Sequence, residues 1–352
     1  MPFSTIDSPK KYFDTALYTG TTATQSITSL NFKPDLVWLK SRGEAQDHYL
    51  FDINRTATKA LSSNLTLAEQ TYSDSLTSFD SNGFTLGAST RVNKNTFAHV
   101  GWSWLASNTT TSNTSGTITS TVSANTTSGF SIVSYTGNAT SAQTIGHGLG
   151  VAPKMMIIKN RSNGTNHWYV YHSSLGASKR VWLSLTNAED NADASIWNST
   201  APTSTVFSVG ADGGVNGSSN AMIAYCFAEV KGYSKAFSYT GNGSTDGTFV
   251  YCGFRPSFLM YKNTSTAGTD WVIIDTKRDT FNVATQELYP NGSYAEGTAS
   301  NNVDILSNGF KARRTNSAIN GSGSNYIGIA FAESPFVSSK GIPVCARWFG
   351  LS

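Results

Sequence analysis

Gly148-Leu149-Gly150-Val151-Ala152-Pro153-Lys154-Met155-Met156-Ile157-Ile158-Lys159 decides how this chain is read. A proline leads into a short apolar run, and a lysine closes it. Such a run, bounded by glycines, is strand and turn chemistry. It is apolar on both parities, which suits a central strand covered on both faces. The same pattern stands at Pro34-Asp35-Leu36-Val37-Trp38-Leu39-Lys40 and at Pro256-Ser257-Phe258-Leu259-Met260-Tyr261-Lys262. Proline and lysine are six residues apart in all three.

Working outward, the triplet Tyr-Thr-Gly precedes each run: Tyr18-Thr19-Gly20, Tyr135-Thr136-Gly137 and Tyr239-Thr240-Gly241. A second apolar run follows, ending at Asp52, His172 and Asp275. Next come Gly83-Phe84-Thr85-Leu86, Val206-Phe207-Ser208-Val209 and Gly309-Phe310-Lys311-Ala312. A last apolar strand ends in Ala106, Ala228 and Ala332. From triplet glycine to that alanine the distances are 86, 91 and 91 residues. Matched landmarks in one order and at near-constant spacing point to triplication.

The fold expected is all-β: three tandem antiparallel β-sandwich (jelly-roll-like) repeats of about 100 residues, each closing its own core. Asn82-Gly83, Asn163-Gly164, Asn242-Gly243, Asn291-Gly292 and Asn308-Gly309 read as turns, because both residue types tolerate positive φ. Leu61–Glu69 and Ala188–Trp197 have room for one or two helical turns. The boundaries expected are repeat 1 at 1–106, a Thr/Ser/Asn-rich linker at 107–128, repeat 2 at 129–229, repeat 3 at 230–333 and a tail at 334–352. As flexible coil the linker spans about 25 Å, which lets the first repeat swing away. Ile118 and Val122 share parity, however, so the segment has a second reading as an extra strand. Repeats 2 and 3 are joined too tightly to move apart. The apolar tail, ending Trp348-Phe349-Gly350-Leu351-Ser352, suits docking onto a partner subunit.

The chain has 352 residues, with 25 Lys and Arg against 22 Asp and Glu, a net charge of +3. Charged residues are only 13% of the chain, so Ser, Thr, Asn and Gly carry the polarity. No basic stripe argues for nucleic acid. No apolar run is long enough to span a membrane, and the start lacks the basic-then-apolar pattern of an export signal. Cys226, Cys252 and Cys345 show no CxxC spacing and read as free thiols of a protein made in a reducing compartment.

Candidate chemistry is thin. Gly146-His147-Gly148-Leu149-Gly150 looks like a phosphate loop, but a proline and a strand follow it rather than a helix, so it reads as a turn. Asp52, His172 and Asp275 fall in one column of the repeat, and an imidazole cannot share a carboxylate's acid role; the column reads as solvent-facing strand ends. Asp52 with Glu44, and Asp275 with Asp270, are the acid pairs a glycoside hydrolase would need. His147, His167 and His172 share one repeat but have poor metal-ligand spacing. Glu189-Asp190-Asn191-Ala192-Asp193 reads as a solvated turn. Trp38, Trp102, Trp104, Trp168, Trp197, Trp271 and Trp348 read mostly as core, and any that protrude would stack on sugars. Lys40-Ser41-Arg42 and Lys159-Asn160-Arg161 suit an anionic glycan or an interface rim. The third copy, Lys262-Asn263-Thr264, drops the arginine, which favours a solvated turn. No catalytic, cofactor-binding or metal-ligating residue is assigned.

The segments "GLGVAPKMMIIKNRS" (148–162), "TAPTSTVFSVG" (200–210), "YTGNGSTDGTFVYCGFRPSFLMYK" (239–262) and "DILSNGFKARRTN" (304–316) resemble a repeat family of structural proteins from marine tailed bacteriophages, cyanophages included. The resemblance covers almost the whole chain and brings no defined site residues. It implies a non-enzymatic virion component, in a tail fibre or other appendage, that contributes to host attachment. It would be assembled in the host cytoplasm with other virion proteins, as a homo-oligomer (a trimer by analogy with fibres), and would touch a host-surface glycan. A capsid-decorating protein and a polysaccharide depolymerase are the alternatives.

Overall fold

A computed structural model describes residues 4–191, 193–332 and 334. The apolar runs are strands: β1 (Phe13–Thr19), β2 (Leu36–Ser41), β3 (Tyr49–Asp52) and β4 (Ala98–Trp104) come first. There follow β5 (Thr111–Asn113), β6 (Ser120–Asn125), β7 (Phe130–Thr136), β8 (Met155–Asn160), β9 (Tyr169–His172) and β10 (Ala221–Phe227). The last set is β11 (Ser234–Thr240), β12 (Pro256–Asn263), β13 (Trp271–Asp275) and β14 (Asn325–Ala332). They build three antiparallel sheets of one order: β1-β4-β2-β3, β7-β10-β8-β9 and β11-β14-β12-β13. The second sheet is extended at both edges. The fold is all-β, as the patterning predicts. Pro34 and Pro153 precede their strands. Pro256 opens β12, where the register shifts before Phe258, so none removes a donor from mid-ladder.

Each sheet has two apolar faces. One packs against a smaller sheet of its own third of the chain, such as Gly83–Leu86 with Gln25–Ile27. Those interiors hold Val37, Leu39 and Phe84 in the first third, Met156, Ile158 and Phe207 in the second, and Leu259, Tyr261 and Phe310 in the last. The opposite faces of all three sheets meet in one common core of Leu36, Trp38, Trp102, Trp104, Ile157, Tyr225, Phe227, Phe258, Met260, Ile329 and Phe331. Alternate residues of β2, β8 and β12 therefore serve two cores, which explains why these strands are apolar on both parities. Large residues of β4, β10 and β14 face the common core, and small ones (Gly101, Ala224, Ala330) turn the other way. Trp102 is fully buried there. At ~25 cal/mol per Å² over roughly 150–250 Å², its burial contributes on the order of 4–6 kcal/mol as an upper bound. The centre keeps an apolar gap of about 10 Å³, which offers a water no polar partner.

The Tyr-Thr-Gly triplets have matching surroundings. Tyr18, Tyr135 and Tyr239 donate their hydroxyls to the carbonyls of Val92, Val215 and Ile319. The next residue in each case is a buried asparagine: Asn93, Asn216 and Asn320. Each accepts a backbone N–H just beyond the triplet, from Thr21, Asn138 and Asn242. At Gly20, Gly137 and Gly241 a Cβ would stand 2.1, 2.3 and 2.4 Å from the carbonyls of Lys94, Gly217 and Gly321. Only glycine allows that approach.

Three expectations are corrected. Residues 107–128 are not free coil: β6 pairs with β7 along six residues, and β5 pairs with β6. Ile118 and Val122 are buried in the second interior, so the extra-strand reading holds. The first third does not swing away, because its sheet shares the common core with the other two. Leu61–Glu69 contains no helical turn, whereas Ala194–Trp197 is a short helix that Asp193 caps through Ser195 N. The tail from 335 onward, with Trp348 and Cys345, lies outside the described residues. No helix among the described residues is long and apolar enough to cross a membrane.

Candidate functional site

The charged residues with suggestive spacing lie at the three seams where the sheets meet. Asp52 ends β3, and the turn after it brings Arg55 back onto the carboxylate, Nε to Oδ2 2.5 Å. Tyr225 of β10 donates to the same oxygen at 2.7 Å. Arg55 also reaches Glu69, which binds Arg161 at 2.9 and 3.1 Å and donates its own N–H to the Arg161 carbonyl. The seam between the third and first sheets repeats the arrangement. Arg278 lies 2.6 Å from Asp275, Trp102 Nε1 donates to Asp275 at 2.9 Å, and Glu296 bridges Arg278 and Arg42 at 3.0 and 2.7 Å.

The seam between the second and third sheets keeps the glutamate, Glu189, and substitutes every other member. His172 replaces the aspartate, Leu175 the first arginine, Thr264 the second, and Ile329 the hydroxyl or indole donor. His172 Nε2 lies 3.2 Å from the Gly328 carbonyl. Only the backbone link persists, Glu189 N to Thr264 O. Glu189 turns to Lys179 instead, at 3.4 Å.

Lys40, Lys159 and Lys262 are buried beside these seams. Carbonyl oxygens hold them, with Lys159 reaching Thr66 and Lys262 reaching Thr186 across the boundary. Burial pushes each ammonium down to about 8. Burial pushes His172 to about 4, against the opposing effect of its bond to Gly328. Burial works to raise the Glu69 carboxyl, but Arg161 and Arg55 together hold it below its ordinary value.

The column of Asp52, His172 and Asp275 is therefore not a row of solvent-facing strand ends: all three are buried. The acid pairs do not form. Glu44 binds Lys94 and Asp270 binds Asn291, while Asp52 and Asp275 are held by arginines. The Lys-x-Arg segments are inter-sheet seams rather than solvated turns, and the arginine is missing where its partner acid is engaged elsewhere. His147 binds Thr203 and His167 binds Ser184, apart from His172. No group of three metal-ligating side chains gathers among the described residues. Gly148 and Gly150 are turn glycines at φ +73° and +74°. In the acidic stretch Glu189 meets Lys179, Asp190 meets Arg180 and Asp193 caps a helix.

Of the tryptophans considered, Trp38, Trp102, Trp104, Trp168, Trp197 and Trp271 are all buried. Among the described residues the aromatics that protrude are instead Phe249, Tyr251, Phe281 and Tyr294. Two adjoining clefts of about 520 and 460 Å³ open beside the seam between the second and third sheets. Leu175, Glu189, Thr264 and Tyr326 line one, Lys154, Phe249 and Tyr251 line the other, and Ser238 and Tyr239 line both. Sequence reasoning missed the seams and the buried asparagines. The signal present lay in the three matched segments: where His172 stands in place of an acid, Leu175 and Thr264 stand in place of both arginines.

Residues 8–335 match the family described as a domain of unknown function, DUF7483. No curated protein and no solved structure matches the chain.

Proposed function

The chain belongs to the DUF7483 family, and we propose that it is a structural protein of a bacteriophage virion, part of a tail fibre or other appendage that contributes to host attachment. The observation that carries this reading is the use of the seam charges. The charged groups at the seams, Asp52, Arg55, Glu69, Asp275, Arg278 and Glu296, are engaged in joining three sheets over one core. That is the chemistry of a rigid building block. The surface is rich in Ser, Thr and Asn, and the resemblance to phage structural proteins runs through the same landmarks. Exposed Phe281 and Tyr294 offer contacts to neighbouring virion proteins, to further copies or to a host glycan.

Electron microscopy of intact particles carrying a labelled chain tests the reading. Label on the tail or its fibres supports it. Label over the capsid shell favours a decorating protein instead, and particles without the chain contradict a virion role. Release of reducing ends from host envelope polysaccharide by the purified protein would favour a depolymerase.

A further inference from the structure

The three sheets differ at one edge. β7 is the outer strand of its order, and β6 covers it, pairing Thr121 with Ser134 and Ser123 with Ile132. Asn54 of the neighbouring third clamps this pair by donating to the carbonyls of Thr121 and Ile132. β11 is the matching strand in the third sheet, and among the described residues β14 is the only strand that pairs with it, with Val230 bridging its first residue, Ser234. Ala332 N donates to Tyr233 O and Gly241 N to Ser324 O, which fixes the ladder phase. Ala236 and Ser238 therefore turn their backbone N–H and C=O groups outward. The two clefts run along this edge, with Ser174 at the position of Asn54.

β1 is the third such edge, but it is blunted. Its Thr15 N–H, within the strand, is taken by the Asp14 carboxylate, whereas on β11 only the ends are engaged, the Ser234 N–H by the Val230 carbonyl and the Thr240 carbonyl by Thr248 Oγ1. β11 carries no acid. The described chain also ends near β11. β14 finishes at Ala332, hydrogen-bonded to Tyr233 just before β11 begins, and 335–352 continue from there. Eighteen residues reach up to ~60 Å, whereas Ala236–Thr240 spans roughly 17 Å. Within that segment Val344-Cys345-Ala346-Arg347-Trp348-Phe349 has no proline or glycine and is mostly apolar.

We propose that this C-terminal segment docks on its own chain as an added strand along β11, in the place that β6 takes on β7, with Val344–Phe349 seated in the paired clefts. Hydrogen exchange read by mass spectrometry, on the full chain and on a chain ending at Ser334, tests it. The amides of Ala236 and Ser238 should exchange at least tenfold slower in the full chain, and added peptide 335–352 should restore the protection. The amides of Ile132 and Ser134 should match in both, which confirms that the shorter chain is folded. A second arm uses Ser238→Pro in the full chain. Ser238 N–H points away from β14, so proline removes only the outward donor. Trypsin should then cut after Arg347 at least fivefold faster than in the unaltered protein. Equal exchange at Ala236 and Ser238 in both chains, or unchanged cutting at Arg347, overturns the proposal. Protection that grows with protein concentration together with a doubled mass also overturns it, by assigning the edge to a second copy.

Discussion

Tyr225 donates its hydroxyl to Asp52 across the boundary between two sheets, 2.7 Å from Oη to Oδ2. The acid belongs to the first third of the chain and the phenol to the second. Around that bond the Arg55 guanidinium is fully enclosed, and its charge is met only by Asp52 and Glu69. A buried ion pair of this kind is costly to break from one side, since the remaining charge keeps its desolvation penalty.

Asp52→Asn should therefore destabilise the fold by about 3–5 kcal/mol, and Tyr225→Phe by about 1.5–3 kcal/mol. Urea unfolding followed by tryptophan fluorescence checks both. The ordering is the informative part, because a role in which Asp52 merely faced solvent would leave both changes near zero.

The seam between the second and third sheets already carries His172, Leu175 and Ile329 in place of the acid, its arginine and the hydroxyl donor. Moving that set onto the first seam as Asp52→His, Arg55→Leu and Tyr225→Ile together should cost less than the sum of the three single changes, by at least ~1 kcal/mol. A full double- and triple-mutant cycle measures this. Additive effects would show that the coordinated replacement at His172, Leu175 and Ile329 is incidental.

Much of this was legible before any coordinates. The proline-to-lysine runs were apolar on both parities, and that pattern marks strands covered twice. What covered the second face was not legible, because periodicity reports burial and not the identity of the neighbour. The large-small alternation of Ile223-Ala224-Tyr225-Cys226-Phe227 and Ile327-Gly328-Ile329-Ala330-Phe331 held the clue: bulky side chains need a thick core, and small ones a near neighbour. Likewise the charge of Arg42 and Arg161 looked like surface chemistry, since their partners Glu296 and Glu69 lie 254 and 92 residues away. Such long-range pairing leaves no local trace.

Alkaline pH should stabilise the protein over a narrow window. Lys40, Lys159 and Lys262 titrate near 8 when folded, against an ordinary value of 10.5. The unfolded chain then binds more protons between those values, so stability rises with pH from about 8, by roughly 1 kcal/mol per lysine over the first unit. The rise should turn over above about 9–10. There the unfolded chain sheds thiol and phenol protons that burial retains on Cys226, Cys252, Tyr18 and Tyr135 in the fold. Urea midpoints at pH 7, 8, 9 and 10.5 test the shape, and a steady fall from pH 7 to 9 would count against buried, charged lysines.

Acid should act in the opposite sense. Burial lowers His99 and His172 to about 4. The unfolded chain takes up protons first, so their contribution is complete above pH 6.5 and is lost as pH falls toward 4. At pH 5 the loss should be about 2 kcal/mol for each. Histidine NMR should find both rings neutral at pH 5.5, and midpoints that do not change between pH 7 and 5 would contradict this.

The most direct test of the common core is native-state hydrogen exchange of β2, β8 and β12, one central strand from each sheet. If the three sheets close over one interior, these strands open together, with a single free energy that Asp52→Asn lowers equally in all three. Three separate opening energies, with Asp52→Asn affecting β2 alone, would mean that the sheets are independent bodies and would contradict the account.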